Sequence, residues 1–183
     1  MLTRQRVSNS QRLLALCLAP IFASGPANPC ERIDPVSSEE MVREADLIVR
    51  ATADSYQVPP RDRNSYTTGV PDSVVRFEVR EVIRGTKNTA SLLLHGYLVG
   101  RDDFNDHTSP YHMVRPGGRA GSCFANSYRA GSEYLLILKK SPEGFTPYWY
   151  ALGPVNEQLH SESDPWLQWV RKESANSQTT KKP

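Results

Sequence analysis

The spacing of apolar and polar positions changes from a helical to a strand period early in the chain. Ser37 and Glu40 have the spacing of a capping box, and the apolar positions that follow recur at helical intervals. This pattern predicts a short helix that begins at Ser38. The next run, DLIVRATA, is rich in branched apolar residues, so we expect a first strand directly after the helix.

A second strand is predicted in VVRFEVREVIRG, where apolar and charged residues alternate up to Val79. Strict alternation is typical of a half-buried strand. Beyond Val79 the apolar residues change parity, because the next two apolar positions are Val82 and Ile83. We therefore expect a β-bulge near Arg80 or Glu81, where one extra residue would restore the facing of the side chains.

Three more runs have strand character. The segment ASLLLHGY predicts a third strand, the near-continuous apolar run SEYLLILKK a fourth, and the alternating run FTPYWYAL a fifth. Five strands with no regular helix between them indicate a mainly β fold, arranged as an antiparallel meander or a Greek-key barrel.

The C-terminal region predicts one more helix and then a tail. Asp164 is placed as the N-cap and Pro165 as the first helical residue, and Trp166 and Trp169 follow at helical spacing. We expect this helix to pack its tryptophans on the sheet. Residues 173–183 contain little that can be buried, so they predict a disordered tail.

The N-terminal segment has the pattern of a secretory signal peptide. Three arginines lie in the first twelve residues, and an apolar run follows over residues 13–23. This run is shorter than the ~20 residues that a membrane-spanning helix needs. We expect cleavage after Ala27 or after Ala23, and we take residues 1–27 as the signal peptide. The protein is then secreted or periplasmic, with no stable membrane span.

Charge limits the class of partner. Removing residues 1–27 takes away three of the 22 basic residues and none of the 20 acidic ones, which leaves 19 basic residues in a nearly neutral chain. Nucleic-acid-binding domains normally show a clustered basic face, so this balance argues against a nucleic-acid partner. The remaining length suits one hydrophobic core, and we expect a single domain over residues 28–172.

The number and positions of the cysteines predict a disulfide. Cys17 lies in the predicted signal peptide, so the exported chain keeps Cys30 and Cys123. An oxidising compartment favours their pairing, and a disulfide that closes so long a loop stabilises a fold by about 4–5 kcal/mol. A free catalytic thiol, a metal ligand and an intermolecular bridge are the alternatives that the sequence leaves open.

Several of these features occur together in a known family. The strand VRFEVREVIRG ends in Arg84 and Gly85, and Cys123 precedes the run GSEYLLIL. Over roughly residues 30–153, this order resembles the netrin-like domain of the tissue inhibitors of metalloproteinases and their bacterial relatives. The resemblance implies a five-stranded antiparallel OB-fold barrel with a short N-terminal and a C-terminal helix. It also implies that Cys30 ties the start of the chain to the loop that holds Cys123.

The inhibitors of that family begin with Cys-x-Cys, and the amine and carbonyl of the first cysteine bind the zinc of the protease. Here Glu31 and Arg32 follow Cys30, and no second cysteine is present at this point. Cleavage after Ala27 would make Cys30 the third residue of the exported chain. Its amine would then not occupy the chelating position.

A long polar connection over residues 98–122 collects oxygen and nitrogen ligands. The weak metal candidates are Asp102, Asp106, His107 and His112. Their spacing matches no strong zinc or calcium motif, so we expect a solvated loop and assign no metal and no cofactor. A nucleophilic site can also be assembled from Cys123, His95 or His112 and an aspartate, since order in sequence does not define such sites.

Aromatic residues in or beside two long polar connections, residues 54–73 and 98–122, are the candidate binding residues. They are Tyr56, Tyr66, Tyr97, Phe104 and Tyr111. These rings either line a binding surface or cover the open ends of the barrel. We expect an exported β-barrel module that is not an enzyme and binds an unknown protein partner, a protease being one candidate. The alternatives are a metal-dependent or thiol enzyme that uses the Asp/His-rich loop, and an oligonucleotide-binding barrel.

Overall fold

The computed structural model describes Cys30, residues 36–61 and residues 70–179. The predicted signal peptide, Tyr66 and residues 180–183 lie outside this part of the chain. The described residues form three helices and eight strands. The helices are α1 (Ser38–Glu44), α2 (Pro116–Arg119) and α3 (Pro165–Thr179). The strands are β1 (Leu47–Val58), β2 (Val74–Arg84), β3 (Ser91–His95), β4 (Tyr97–Val99), β5 (Ser127–Arg129), β6 (Glu133–Ser141), β7 (Gly144–Thr146) and β8 (Asn156–Gln158).

Six of the strands form one antiparallel sheet, which confirms the mainly β prediction. The strand order in the sheet is β3-β2-β1-β6-β7. Strand β8 pairs with the first half of β6, and β7 pairs with the second half of β6. Strands β4 and β5 form a separate parallel pair. Hydrogen-bonded pairing does not connect β3 to β7 within the described residues, so the sheet is open and the closed barrel is not confirmed.

Both predicted helix starts are confirmed by their caps. The Ser37 hydroxyl accepts a hydrogen bond from the backbone N–H of Glu40 at 3.1 Å, directly before α1. The Asp164 carboxylate accepts one from the backbone N–H of Trp166 at 2.9 Å, directly before α3. These side chains satisfy N–H groups that have no partner inside the first helical turn.

The predicted bulge in β2 is also confirmed. Arg50 lies opposite Glu81 while its neighbour Ala51 lies opposite Val79, so Arg80 is the extra residue in the pairing of β1 with β2. The extra residue changes the parity of the strand. As a result Val79 and Val82 both pack on the same hydrophobic cluster, although three positions separate them.

Strand β6 and the first half of β1 are buried on both faces. Their inner-face residues join a cluster with β2, β3 and the ring of Tyr128, which we call the inner core. Their outer-face residues, among them Ile48 and Ile137, pack against α1 and α3 around the fully buried Trp166. Burial on two faces explains the near-continuous apolar run of β6, because strands with both faces covered do not alternate.

The predicted fifth strand over 145–152 is largely wrong. Strand β7 ends at Thr146, and the polypeptide then bends through Tyr148 and Trp149. Pro147 follows Thr146 and has no N–H to donate to a neighbouring strand, which accounts for the early end. Strand β8 also pairs with β6, but its sequence is polar and lacks the apolar pattern that would predict a strand.

The C-terminal helix is longer than the sequence predicted. It continues to Thr179, so residues 173–179 are helical and not part of a disordered tail. Ser174 is buried against the rest of the molecule, and the Ser177 hydroxyl accepts a hydrogen bond from the Arg84 guanidinium at 3.2 Å. Tertiary contacts therefore extend a helix whose last turns carry few apolar residues.

Candidate functional site

The polar connection between β4 and β5, residues 100–126, lies folded against the sheet, and we call it the Asp/His connection. Its start is tied to β8, because Phe104 forms a parallel bridge with Gln158. Its later part is tied to the turn that follows β7, where the Leu152 N–H donates to the carbonyl of Cys123 at 2.8 Å. The connection buries several residues, including Asn105 and Arg115, so it is not the solvated loop that the sequence predicted.

Arg115 is at the centre of this arrangement and is fully buried. Its Nη1 donates to Oδ2 of Asp103 at 2.5 Å, and its Nε and Nη2 donate to two backbone carbonyls at 3.0 and 3.4 Å. The guanidinium carbon lies 5.5 Å from the ring centroid of Tyr128 and 5.4 Å from that of Tyr134. A carboxylate, carbonyls and aromatic faces together replace the water that the cation loses on burial.

Glu157 is the second buried ionisable residue and lies on β8. Its Oε1 accepts the backbone N–H of Arg115 at 3.2 Å, and its Oε2 accepts the side-chain amide of Asn105 at 2.9 Å. Burial raises the pKa of Glu157 to about 7, against the lowering effect of the Arg115 guanidinium. The carboxyl group therefore changes its protonation near neutral pH, where an exposed glutamate is fully ionised.

The local backbone shape depends on the glycines of α2. The carboxylate of Asp103 accepts the backbone N–H of Gly117 at 3.0 Å, in addition to the guanidinium of Arg115. A Cβ atom on Gly118 would lie 2.8 Å from the backbone nitrogen of Ala125, too close for any side chain without a shift. The sequence Pro-Gly-Gly thus lets the connection turn tightly enough to present Asp103 to Arg115.

The outer rim of the Asp/His connection consists of exposed ion pairs. Asp102 pairs with Arg129 and accepts the side-chain amide of Gln158 at 2.5 Å. Hydrogen bonding to Arg129 lowers the pKa of Asp102. Asp106 pairs with Arg119, and that hydrogen bond lowers its pKa as well.

The four weak metal candidates are not gathered into one group. Asp106 and His107 lie together, because Nε2 of His107 is 3.7 Å from Oδ1 of Asp106 and 3.3 Å from the guanidinium of Arg119, which also pairs with Asp106. Asp102 faces a different arginine. His112 is exposed. Across residues 36–61 and 70–179 no group of three His, Cys, Asp or Glu side chains could hold a metal ion.

Two of the candidate binding aromatics are buried. Tyr97 is 8 % and Tyr111 is 6 % exposed. The ring of Tyr111 stacks on Trp166 with the centroids 5.0 Å apart, and burial raises its pKa to about 12. Of the two interpretations that the sequence allowed, these rings fit the covering of the core and not a binding surface.

The other described aromatics also have internal partners. The hydroxyl of Tyr56 accepts the backbone N–H of Leu98 at 2.7 Å, and its ring packs on the inner core. Phe104 is half-buried and stacks on His160 with the centroids 3.8 Å apart. Tyr66 lies outside the described residues, so the structure does not place it.

The cysteine expectation is confirmed. Cys30 and Cys123 form a disulfide with their Cα atoms 5.1 Å apart. The alternatives of a free thiol, a metal ligand and an intermolecular bridge are therefore wrong for this state of the protein. His95 binds the carbonyl of Pro71 through Nδ1 at 2.8 Å, and a nucleophilic site built on Cys123 would lack its thiolate.

An apolar surface that sequence reasoning missed lies at one end of the outer face of β1, β2 and β3. Val58, Val70 and Leu93 are 45 %, 59 % and 53 % exposed, and they are the large hydrophobic side chains exposed among the described residues. Val58 lies opposite Val74, and Val74 lies opposite His95 in the neighbouring strand. We call these five residues the β1–β3 patch.

The alternation of β3 explains why the patch is exposed. Leu92 and Leu94 are buried in the inner core, so Leu93 between them faces outward on the side of His95. The bond from His95 to the carbonyl of Pro71 places Val70 beside the same strand. Three consecutive leucines in one strand cannot all point to the same face, but the sequence does not show which of them is exposed.

No protein-family model and no curated protein matches the chain. Within residues 36–61 and 70–179, none of the helices combines the length and the apolar character that crossing a bilayer requires.

Proposed function

We propose that the protein is an exported, non-enzymatic binding module that recognises a protein partner through the β1–β3 patch. The observation that carries this proposal is that the exposed Val58 and Leu93 lie on the same sheet face, on the two strands that flank the half-buried Val74. Isolated surface hydrophobics are ordinary, whereas a contiguous group with polar surroundings is typical of interaction sites. Val58, Val74 and Leu93 are contributed by three adjacent strands, so the sheet holds them in a defined geometry.

The strand order supports an OB-fold barrel as the scaffold of this module. The two end strands of the sheet, β3 and β7, are in contact with each other. Just beyond β7, the hydroxyl of Tyr148 donates to the carbonyl of His95 at the end of β3, at 3.0 Å. A five-stranded, partly open barrel is the architecture of OB folds, and the netrin-like resemblance leads to the same proposal.

The chemistry of the patch favours a protein over a nucleic acid. Branched aliphatic side chains bury against apolar residues of a partner, whereas single-stranded nucleic acids are bound by basic grooves with stacking aromatics. The near-neutral charge of the exported chain also favours a protein partner over a nucleic acid. A protease remains one member of the proposed partner class, but zinc chelation by the amine of Cys30 is not part of the proposal.

The patch can be tested by comparing variants as bait. The double variant Val58→Ser, Leu93→Ser removes two of the three exposed apolar side chains, and both are exposed enough for the fold to be retained. Lys172→Ser, an exposed change on α3, is the control. Each protein is immobilised and incubated with the secreted and periplasmic fractions of the producing cells, and the affinity of each captured protein is then measured.

We expect a partner that binds saturably to the unchanged protein and to the Lys172 variant. The patch variant should bind it at least tenfold more weakly, since apolar anchors at the centre of an interface carry most of its free energy. Equal affinity for all three baits would show that the β1–β3 patch is not the recognition surface.

A further inference from the structure

Glu157 connects two parts of the molecule that differ in how they are held. The residue belongs to β8, which is paired with the central strand β6, and Leu135 of β6 lies opposite it. Both hydrogen-bond donors to its carboxyl group, Asn105 and Arg115, belong to the Asp/His connection. If the connection moves away from β8, Glu157 loses these donors and becomes accessible to water.

The charges around Glu157 do not balance when it is ionised. The Asp/His connection presents one guanidinium, Arg115, and one further carboxylate, Asp103, to the buried space. Tyr111 faces Glu157 from the same connection, and Asp164 faces Tyr111 from the start of α3. With Glu157 ionised, Arg115 is outnumbered by Asp103 and Glu157, and a proton on Glu157 removes the excess negative charge.

Burial makes proton binding and closure mutually dependent. A buried carboxyl group binds its proton more tightly than a solvated one, because the ionised form is poorly stabilised away from water. The closed connection keeps Glu157 fully buried, and an open connection would hydrate it. By linkage, a proton that binds more tightly to the closed form must favour that form.

We propose that Glu157 makes the Asp/His connection a proton-dependent clasp, which stays closed when Glu157 is protonated and opens more readily as the pH rises. The pKa of about 7 in the closed form lies above the ordinary value of 4.5, which sets the direction. The stabilisation of the closed form is complete below about pH 4.5 and is lost as the pH rises through about 7. The rim pair of Asp106 with Arg119 lies within the connection and would move with it, whereas opening would separate Asp102 from Arg129 of β5.

Hydrogen exchange measures this opening directly. Amide exchange of the full, disulfide-bonded protein is followed from pH 5 to pH 9, and each rate is corrected for the intrinsic pH dependence of exchange. The reporters are the backbone N–H groups of Asp103, Val114 and Arg115, whose hydrogen-bond acceptors lie outside the connection, on β8 or in the turn after β7. We expect their opening constant to rise up to about tenfold per pH unit between pH 5 and 7 and to level off above neutrality.

Two variants define the role of Glu157. In Glu157→Gln the group cannot ionise, so the corrected opening constant should not change with pH. In Glu143→Gln, an exposed change in the turn between β6 and β7, the response of the unchanged protein should be retained. A pH response that persists in the Glu157 variant overturns the proposal. It is also overturned if the connection and the amides of β1 exchange at identical rates, because opening would then be global unfolding.

If Glu157→Gln does not fold, the unchanged protein decides the question. Titration of its glutamate carboxyl groups by carbon NMR should show one group that changes protonation near pH 7. A full set of glutamates that titrate below about pH 5.5 overturns the proposal, since a carboxyl with an ordinary proton affinity cannot couple closure to pH in this range.

Discussion

The β1–β3 patch and the Asp/His connection use their side chains in opposite ways. The Asp/His connection is rich in the residues that catalysis and metal binding employ, but Asp102, Asp103 and Asp106 all face arginines of this chain. The patch contains ordinary aliphatic residues, and Leu93 is 53 % exposed. Residue type alone therefore does not identify a functional site. A side chain that already has a partner within the fold is not available to bind another molecule.

The largest effect should come from removing the cation of the buried network. Arg115→Met keeps the length of the side chain but leaves Asp103 and Glu157 without a positive charge. Breaking a buried ion pair in this way typically costs about 3–5 kcal/mol. We expect a loss of this size in the free energy of unfolding, measured by chemical denaturation at pH 7 with the disulfide intact.

The matched control is Arg129→Met, which removes an exposed partner of Asp102 on the rim of the same connection. Exposed ion pairs are screened by water and contribute little, so the free energy of unfolding of this variant should remain close to that of the unchanged protein. Similar losses for both variants would mean that the network around Arg115 does not hold the connection.

A second comparison separates the two faces of β3. Leu94→Ala removes a buried side chain from the inner core and should cost about 2–5 kcal/mol. Leu93→Ala, one residue earlier, changes an exposed side chain and should stay within about 0.5 kcal/mol. Thermal unfolding of the two variants measures the difference. If Leu93→Ala is as destabilising as Leu94→Ala, the β1–β3 patch is part of the core and not a free surface.

A smaller effect is expected at the glycine turn of α2. Gly118→Ala places a Cβ atom 2.8 Å from the backbone nitrogen of Ala125 and 2.7 Å from a methyl group of Val114. Such overpacking usually costs about 1–3 kcal/mol. Gly100→Ala is the control, because a Cβ there has no neighbour within 4 Å. Equal unfolding midpoints for the two variants would show that the tight turn is not required.

Much of the fold could be predicted from local sequence patterns. The caps at Ser37 and Asp164, the bulge at Arg80 and the strands β1, β2, β3 and β6 follow from short stretches of sequence whose physics is local. The disulfide was also predictable, because removal of the predicted signal peptide would leave only two cysteines. The candidate site was not predictable from the sequence, because the hydrogen-bond partners of Glu157 lie 42 and 52 positions away in the chain.

Local sequence determined where α1 and α3 begin and where the strands β1, β2, β3 and β6 lie, because capping, alternation and composition act over a few residues. Only the tertiary structure decided that Arg115 and Glu157 are buried and that Leu93 is exposed. The physical reason is that burial depends on what packs from distant parts of the chain, and a charged residue can be buried only where several distant partners replace water. Neither condition can be read from the residues on either side.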